Sequence, residues 1–402
     1  MELKKFALLI GASTVAAAPN LVAFEANDVL LFSLGRSTFT PRANVGVTYS
    51  DNISYNDLFK LSDVIIDTGA GLGFKLGKTQ EASLVAGYQF DSLSYLDHNQ
   101  LDAQIHAIQV GGQYQGARLD YKGAATISHL DTLIGGSVAD PLLVGNSLKV
   151  QRWVMRTSHT LDYEISERTG VYMTPSYDFT DYQTGTPLYD YSTIALNNGF
   201  RYSVSPKTRL FGEIYVGHSS VDVNLPTMPE GPSSTFVGGF AGMSFDISAK
   251  ITGTVKAGYE SRTFSDNQSA PSEPVVDMSL SYKLAVKTTT TLSYMRRPNV
   301  SVQGRAETSI SDTLSASVSQ LIGNTGKLSA NAGIAYQLTD YVTQGTLNRS
   351  TDYFSANLGL NYNLQLWMRA GLVYSYTKAT SDTVGVLQYS ENRVSLTLSV
   401  GY

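Results

Sequence analysis

The chain contains no cysteine, which excludes disulfides, lipoprotein acylation and thiolate-held metals in one step. Charge is scarce as well. Asp, Glu, Lys and Arg make up 16% of the 402 residues, well under the roughly 25% of soluble proteins. The charge present nets to -5 with a pI near 5.6, so there is no basic surplus to meet nucleic acid. Beyond the N-terminus no apolar run approaches the roughly 18 residues of a membrane helix. A mean hydropathy of -0.09 is also too low for a multi-helix membrane protein. Glycine and tyrosine are abundant, 35 and 25 residues against 2 tryptophans, a composition of sheet and interface rather than helix.

The closing segment states the pattern that the rest repeats. Val394, Leu396, Leu398, Val400 and Tyr402 point one way, and Ser395, Thr397, Ser399 and Gly401 the other. A soluble sandwich would set Lys and Glu on its wet face. Here the second face is small and polar, which suits a barrel lumen, and the chain ends on an aromatic as the last strand of a bacterial outer-membrane barrel does. The same alternation recurs in Ala43 to Tyr49, in Val276 to Leu284 and in Phe354 to Leu364. Each apolar face is about 10 residues tall, the reach of a strand tilted across a bilayer.

Connections alternate between short and long. Short ones fall at Gly77–Gln80, Gln115–Ala117, Ser166–Arg168, Ser205–Lys207, Ser248–Lys250, Val286–Thr288, Gly323–Gly326 and Leu364–Leu366. Long ones fall at Asp51–Lys60, Asp97–Asp102, Asp131–Leu148, Gln183–Tyr189, Asp222–Ser234, Ser265–Pro274, Arg297–Arg305, Thr339–Ser350 and Lys378–Gln388. Sorting by length is what outer-membrane barrels show, with short periplasmic turns and long extracellular loops. The expectation is an all-β, transmembrane, antiparallel up-and-down barrel of about 18 strands, even-numbered as bacterial barrels require. Alternation is weak at Gln104–Gln115, Leu210–His218 and Arg305–Leu321, so 16 strands with one folded loop is the alternative. Most prolines fall in connections, but Pro175 sits mid-strand and implies a bulge.

Residues 1–26 read as a signal peptide: Lys4 and Lys5, then an apolar stretch from Phe6 to Val15, then small residues at Ala16–Ala18 or Ala23–Ala26 for cleavage. The expected organisation continues with a periplasmic N-terminal segment over 27–40 and the barrel over 41–402. The product is a monomer in the bacterial outer membrane, surrounded by lipid and inserted by the barrel-assembly machinery through the strand Val394–Tyr402.

Chemistry in such a barrel belongs to the lumen. The inward parity carries Arg152, Arg156, Arg209, Glu213, Lys256, Glu260, Arg262, Lys283, Arg369 and Arg393, with Asp162 and Glu164 beside them. Signs are mixed, which favours a weakly selective path over a strong ion filter. Tyr172 and Tyr215 share that parity and could line a sugar path, whereas Tyr49, Tyr163, Tyr202, Tyr282, Tyr362 and Tyr402 end apolar faces and read as membrane girdles. An outer-membrane hydrolase would need a histidine fixed by a carboxylate. His98, His106, His129 and His218 lie near strand ends, His218 close to Asp222, and only proximity in sequence supports such a pairing, so they read as solvated rim residues and the chain as no enzyme. No metal-ligand spacing and no cofactor motif is present. The longest loop holds Leu133, Ile134, Leu142, Leu143 and Val144 beside Gly135, Gly136 and Gly145. Apolar residues in a loop need a place to bury, so this loop is predicted to fold into the lumen as its constriction, with lying over the outer rim as the alternative.

Tyr49-Ser50-Asp51-Asn52-Ile53, preceded by Phe39-Thr40-Pro41 and followed by Ser62-Asp63, resembles the β-barrel porins associated with exopolysaccharide export loci in Gram-negative bacteria. The turn Ser205-Pro206-Lys207-Thr208 is similar to theirs as well. The likeness covers the barrel in layout and its motifs, Tyr49, Asp51 and Asn52 foremost, in the first 75 residues. It implies a passive conduit for exopolysaccharide secretion working with periplasmic polysaccharide-export components, and it carries over no catalytic residue. A diffusion porin for small-solute uptake is the alternative.

Overall fold

The computed structural model describes residues 32–77, 81–134, 148–186, 188–224, 231, 233–265, 269–300, 308–342, 349–382 and 388–401. A short strand β1 (Phe32–Leu34) precedes β2 (Ser37–Ser50), β3 (Asp63–Leu76), β4 (Ala82–Tyr95), β5 (Ala103–Gln115), β6 (Leu119–Ile134) and β7 (Leu148–Glu164). Then come β8 (Thr169–Tyr182), β9 (Tyr189–Ser205), β10 (Thr208–Val223), β11 (Ser234–Ser248), β12 (Ile251–Phe264) and β13 (Ser269–Ala285). The chain finishes with β14 (Thr288–Val300), β15 (Thr308–Ile322), β16 (Leu328–Val342), β17 (Arg349–Gln365), β18 (Met368–Ser381) and β19 (Tyr389–Val400). From β2 onward each strand pairs antiparallel with the next, and β19 pairs back on β2. This closes an 18-strand barrel, while β1 only folds back on β2 as a hairpin. Closure is what a membrane demands, because no edge strand can leave its N–H and C=O groups in lipid.

Alternation decides which face each residue takes. The register carries one parity through the wall, in pairs such as Ser50 with Asp63, Leu93 with Ala103, Arg152 with Tyr182 and Arg393 with Ser50, and shifts beside several short turns and, between β12 and β13, at Glu260/Arg262. Leucines and isoleucines of the other parity face outward and stay exposed, Ile214 at 68% and Leu396 at 58%, since their partner is lipid rather than protein. The predicted girdle residues Tyr49, Tyr163, Tyr202, Tyr282 and Tyr362 lie exposed on that face. The segments with weak alternation are nonetheless strands β5, β10 and β15. In β10 the inward face itself carries Phe211 and Tyr215 among its polar residues, which blurs the contrast between faces.

Several expectations need adjustment. The first barrel strand begins at Ser37 rather than Pro41. Strands β12 to β14 continue past the apolar belt, so the connection predicted over Ser265–Pro274 shrinks to 265–268, and Pro274 and Pro298 lie within strands. Likewise Leu133 and Ile134 belong to β6, not to a loop. Pro175 causes no bulge. Pairing of β7 with β8 stops after Ser158 opposite Ser176 and resumes at Leu161 opposite Met173 in the same register. The missing N–H simply interrupts the ladder, and Thr160 and Thr174 hydroxyls bridge the gap at 3.0 Å.

Candidate functional site: the lumen wall and its outer mouth

Register places Arg152, Arg156, Arg209, Glu213, Lys256, Glu260, Arg262, Lys283, Arg369 and Arg393 on the inward face. Much of the wall between them is hydroxyl and glycine: Ser293 meets Ser315 at 2.6 Å, Thr193 meets Ser219 at 2.9 Å, and Thr48 donates to Ser395 at 2.8 Å. The charges are organised on one side. Arg262 binds Glu260 at 2.9 Å and lies 4.6 Å over the Phe236 ring. Lys256 lies 4.6 Å over Phe240 and 3.6 Å from Asp277, which also meets Arg297 at 3.2 Å. Tyr215 donates to Glu260 at 3.0 Å and stacks against Phe240, with centroids 5.4 Å apart. Tyr172 donates to Glu213 at 3.0 Å.

Two glycines permit this layout. A Cβ on Gly238 would sit 2.3 Å from the Tyr215 ring, and one on Gly199 would sit 2.0 Å from the Tyr172 ring. Both tyrosines therefore lie flat along the wall across a bare backbone. The sequence pointed to Tyr172, Tyr215, Glu260 and Arg262 separately; Phe236, Phe240, Asp277 and Arg297 were missed because their contacts cross from strand to strand and leave no local pattern. Elsewhere Arg156 meets Asp178 at 3.8 Å, Arg369 meets Asn363 at 3.2 Å, and Arg201 pairs with Asp162 and, at 3.6 Å, with Glu164. Lys283 is exposed near the short-turn rim without an ion pair among the described residues.

The outer mouth is shaped by the segment that follows β2. Asn52, Ile53, Ser54 and Asn56 are buried, Asn52 completely, although they lie in a connection. Ile53 packs with Ile65, Tyr95 and Leu101, and Tyr55 meets Tyr389 edge-on at 5.3 Å. Ile65, Tyr95 and Tyr389 are inward positions by register, so the segment folds inward across the mouth. Asp51 and Asn52 grip the start of β19 from opposite faces. Asn392 donates to Asp51 through its backbone and side-chain nitrogens, both at 2.7 Å, and the Asn52 amide donates to the Ser390 carbonyl at 2.9 Å. Ser50 donates to Glu391 at 2.6 Å, and Arg393 reaches Glu391 at 2.8 Å and the Tyr55 hydroxyl at 3.3 Å. Burial pushes the Tyr55 phenol up, and Arg393 only partly offsets this. Tyr55 also has a φ of 49°, the sole non-glycine in that region among the described residues, a backbone strain of about 1 kcal/mol that its neighbours must outweigh.

Of the predicted constriction residues, Leu133 packs against the Ile53 cluster. The Ile134 side chain and Leu142, Leu143 and Val144 lie outside the described residues. The rule of apolar residues seeking cover applies to Ile53 and Tyr55, whose signal was read only as a strand break at Asp51-Asn52.

Among the described residues none of the five histidines meets both a carboxylate and a hydroxyl; His159, which the sequence reading passed over, meets the Thr157 and Tyr121 hydroxyls, each at 2.8 Å, on the outward face. His98 does have a buried carboxylate, Asp63, at 2.8 Å, but Asp63 also accepts the backbone N–H groups of Val64, Leu96, Asp97 and His98 and so acts as a turn cap. No hydroxyl nucleophile bonds the His98 ring among the described residues. His218 meets Thr235 at 3.0 Å rather than Asp222, and His106 and His129 face outward.

A family described as "Putative beta-barrel porin 2" matches residues 159–402, more than half of the chain. The chain belongs to this family. Together with the closed 18-strand wall, this makes it a multi-pass porin of the bacterial outer membrane. No curated protein matches it. Among solved structures it is similar to OpdO of Pseudomonas aeruginosa, at 12% identity over 90% of this chain and 97% of that one, with a TM-score of 0.48. Pseudomonas aeruginosa OccK2 (OpdF) in complex with glucuronate gives 11% over 90% and 98%, with 0.47. The siderophore receptor PirA of the same organism gives 10% over 90% and 80%, with 0.45. What this porin passes is therefore argued from its own residues.

Proposed function

We propose that the porin is a passive conduit for carbohydrate, and that its physiological task is secretion of exopolysaccharide. The observation that carries the carbohydrate reading is the inward wall of Tyr215, Phe236 and Phe240 set beside Glu260 and Arg262. The three rings and the Glu260–Arg262 pair are themselves buried and support Lys256, Asp277 and Arg297, the more exposed groups of the cluster, which exchange hydrogen bonds with sugar hydroxyls that leave water. The surrounding serines and threonines offer further weak, interchangeable partners, so a sugar can enter without being held. The direction of transport rests on the Tyr49-Ser50-Asp51-Asn52 motif and its resemblance to porins of export loci, which also brings periplasmic export components as proposed partners.

Uptake of small saccharides is the second reading. It is favoured by the buried segment Asn52–Asn56, because a mouth narrowed in this way suits a short solute better than a hydrated polymer. A deletion strain separates the two. Loss of surface polysaccharide with normal sugar uptake supports secretion, and slowed uptake with normal polysaccharide supports the second reading. In planar bilayers, oligosaccharide should block current through the parent channel and block it less in a Y215A variant. Equal block in both would refute the carbohydrate wall.

A further inference from the structure

We propose that an outward groove on β5, β6 and β7 binds the phosphate-bearing headgroup of an anionic lipid. Four rings sit at one height on neighbouring strands: Phe90, His106, His129 and Trp153, each opposite the next in register. Successive centroids are 5.0, 6.1 and 4.7 Å apart. One step toward the short turns the outward residues are Tyr88, Ile108, Ile127 and Met155. One step toward the long loops they are Ser92, Gln104, Asp131 and Gln151. The row of rings thus lies where the apolar belt ends and headgroups begin.

A girdle at this height needs only Tyr and Trp. Two of its positions are imidazoles instead, and they flank an open pocket of about 330 Å³ with Ile108 and Ile127 as floor and Trp153 as wall. His106 spends Nδ1 on the Tyr88 hydroxyl at 2.9 Å, which leaves its Nε2. His129 makes ring contacts with His106 and Trp153 but has no hydrogen bond among the described residues. An unmet N–H facing hydrocarbon is costly, whereas at headgroup level a phosphate oxygen accepts it. The nearest outward carboxylate, Asp131, is paired with Lys149 at 3.1 Å, so it does not oppose an anion arriving beside His129. Asp181, opposite Trp153 on β8, is a further outward carboxylate at this rim. Chemistry and shape agree: an acyl chain runs down Ile108 and Ile127, and its phosphate rests on the two imidazoles.

The two tryptophans make the groove directly readable, because Trp367 lies in the β17–β18 turn at the opposite rim. With W367F as parent, only Trp153 fluoresces. The full porin is placed in phosphatidylcholine vesicles carrying equal fractions of brominated-tail phosphatidic acid or brominated-tail phosphatidylcholine. Phosphatidic acid should quench Trp153 with an apparent affinity about five-fold higher, as one net hydrogen bond to the phosphate implies. Adding H106F and H129F together, which keep the rings and remove the nitrogens, should bring the ratio to about one. H129F alone should lower it, and this arm decides if the double variant fails to fold by its heat-dependent gel migration. Equal quenching by both lipids in the parent, or a preference retained in the variants, would overturn the site. Abolition of the preference by millimolar inorganic phosphate would reassign the groove to a free anion and end the lipid proposal.

Discussion

Replacing Asn52 by alanine tests how the mouth is held. The side chain is completely buried and makes two good hydrogen bonds, its Nδ2 donating to the Ser390 carbonyl at 2.9 Å and its Oδ1 accepting from Ser54 at 2.8 Å. A third, at 3.4 Å from the Asn56 N–H, is weaker. At about 1 kcal/mol net for each of the two good bonds, the substitution weakens the folded-in segment by about 2 kcal/mol. That raises the fraction of time the segment is detached by about 30-fold. The barrel itself loses none of its ladder, because the segment lies beyond the β19–β2 pairing. Single-channel recording in planar bilayers should therefore show more frequent or longer high-conductance states in N52A, with unchanged heat-dependent gel migration. N52D keeps the acceptor but turns a carboxylate oxygen toward the Ser390 carbonyl, and it should open the mouth too. A folded N52A channel whose conductance histogram matches the parent's would refute the reasoning.

Acid should loosen the same segment. Desolvation pushes the Asp57 carboxyl up, but hydrogen bonds from Lys60 and Ser390 outweigh it and hold it below its ordinary value of 3.8. A depressed carboxyl stabilises above its unfolded value and loses that contribution as pH falls, so high-conductance states should multiply only below about pH 4; in D57N this acid response should be absent. E260Q leaves Arg262 without its counter-charge at 2.9 Å, so the reversal potential in a potassium chloride gradient should move toward chloride, and no movement would place that pair off the conducting path. P175A restores a backbone N–H where the β7–β8 ladder is interrupted. It should raise the temperature at which the gel shift is lost, by a stabilisation of about 1 kcal/mol; a fall would show that the gap is needed.

The architecture was legible because a membrane barrel writes itself in period two. Val394 to Val400 and Phe354 to Leu364 alternate without exception, and connections at Ser205–Lys207 or Ser248–Lys250 fall within a residue of the observed turns. Strand ends were less legible. Beyond the apolar belt, residues such as Ser269, Ala270, Glu273 and Pro274 still pair, but their sequence carries no hydropathy contrast. The site was legible only by parity. Alternation shows that Glu260 and Arg262 share a face, yet nothing local shows that Tyr215 reaches Glu260 from 45 residues away or that Arg262 rests on Phe236. Asp63 illustrates the same limit. Its place beside Ser62 looked like a strand start, and its work as cap for Leu96 to His98 is visible only once β3 and β4 are paired.

The location of the Asp51-Asn52 pair ties closure of the barrel to the shape of its mouth. Eight register pairs join β19 to β2, from Arg393 with Ser50 to Val400 with Ala43, whereas fourteen join β2 to β3. A closing seam so much shorter than its neighbour is the natural place for the wall to part. At the outer end of this seam, hydrogen bonds continue past the ladder: Asp51 N–H to the Asn392 carbonyl at 3.1 Å, Asp57 N–H to the Gln388 carbonyl at 3.1 Å, and Ser390 N–H to the Asp57 carboxylate at 3.0 Å. The residues that lengthen the seam are also those that hold Ile53 and Tyr55 across the lumen. A polar pair in a connection thus has two roles at once, since loosening it both removes the seam's extension beyond the ladder and unblocks the path. Selection for a sealed wall would then keep the mouth narrow even if transport alone favoured a wider one.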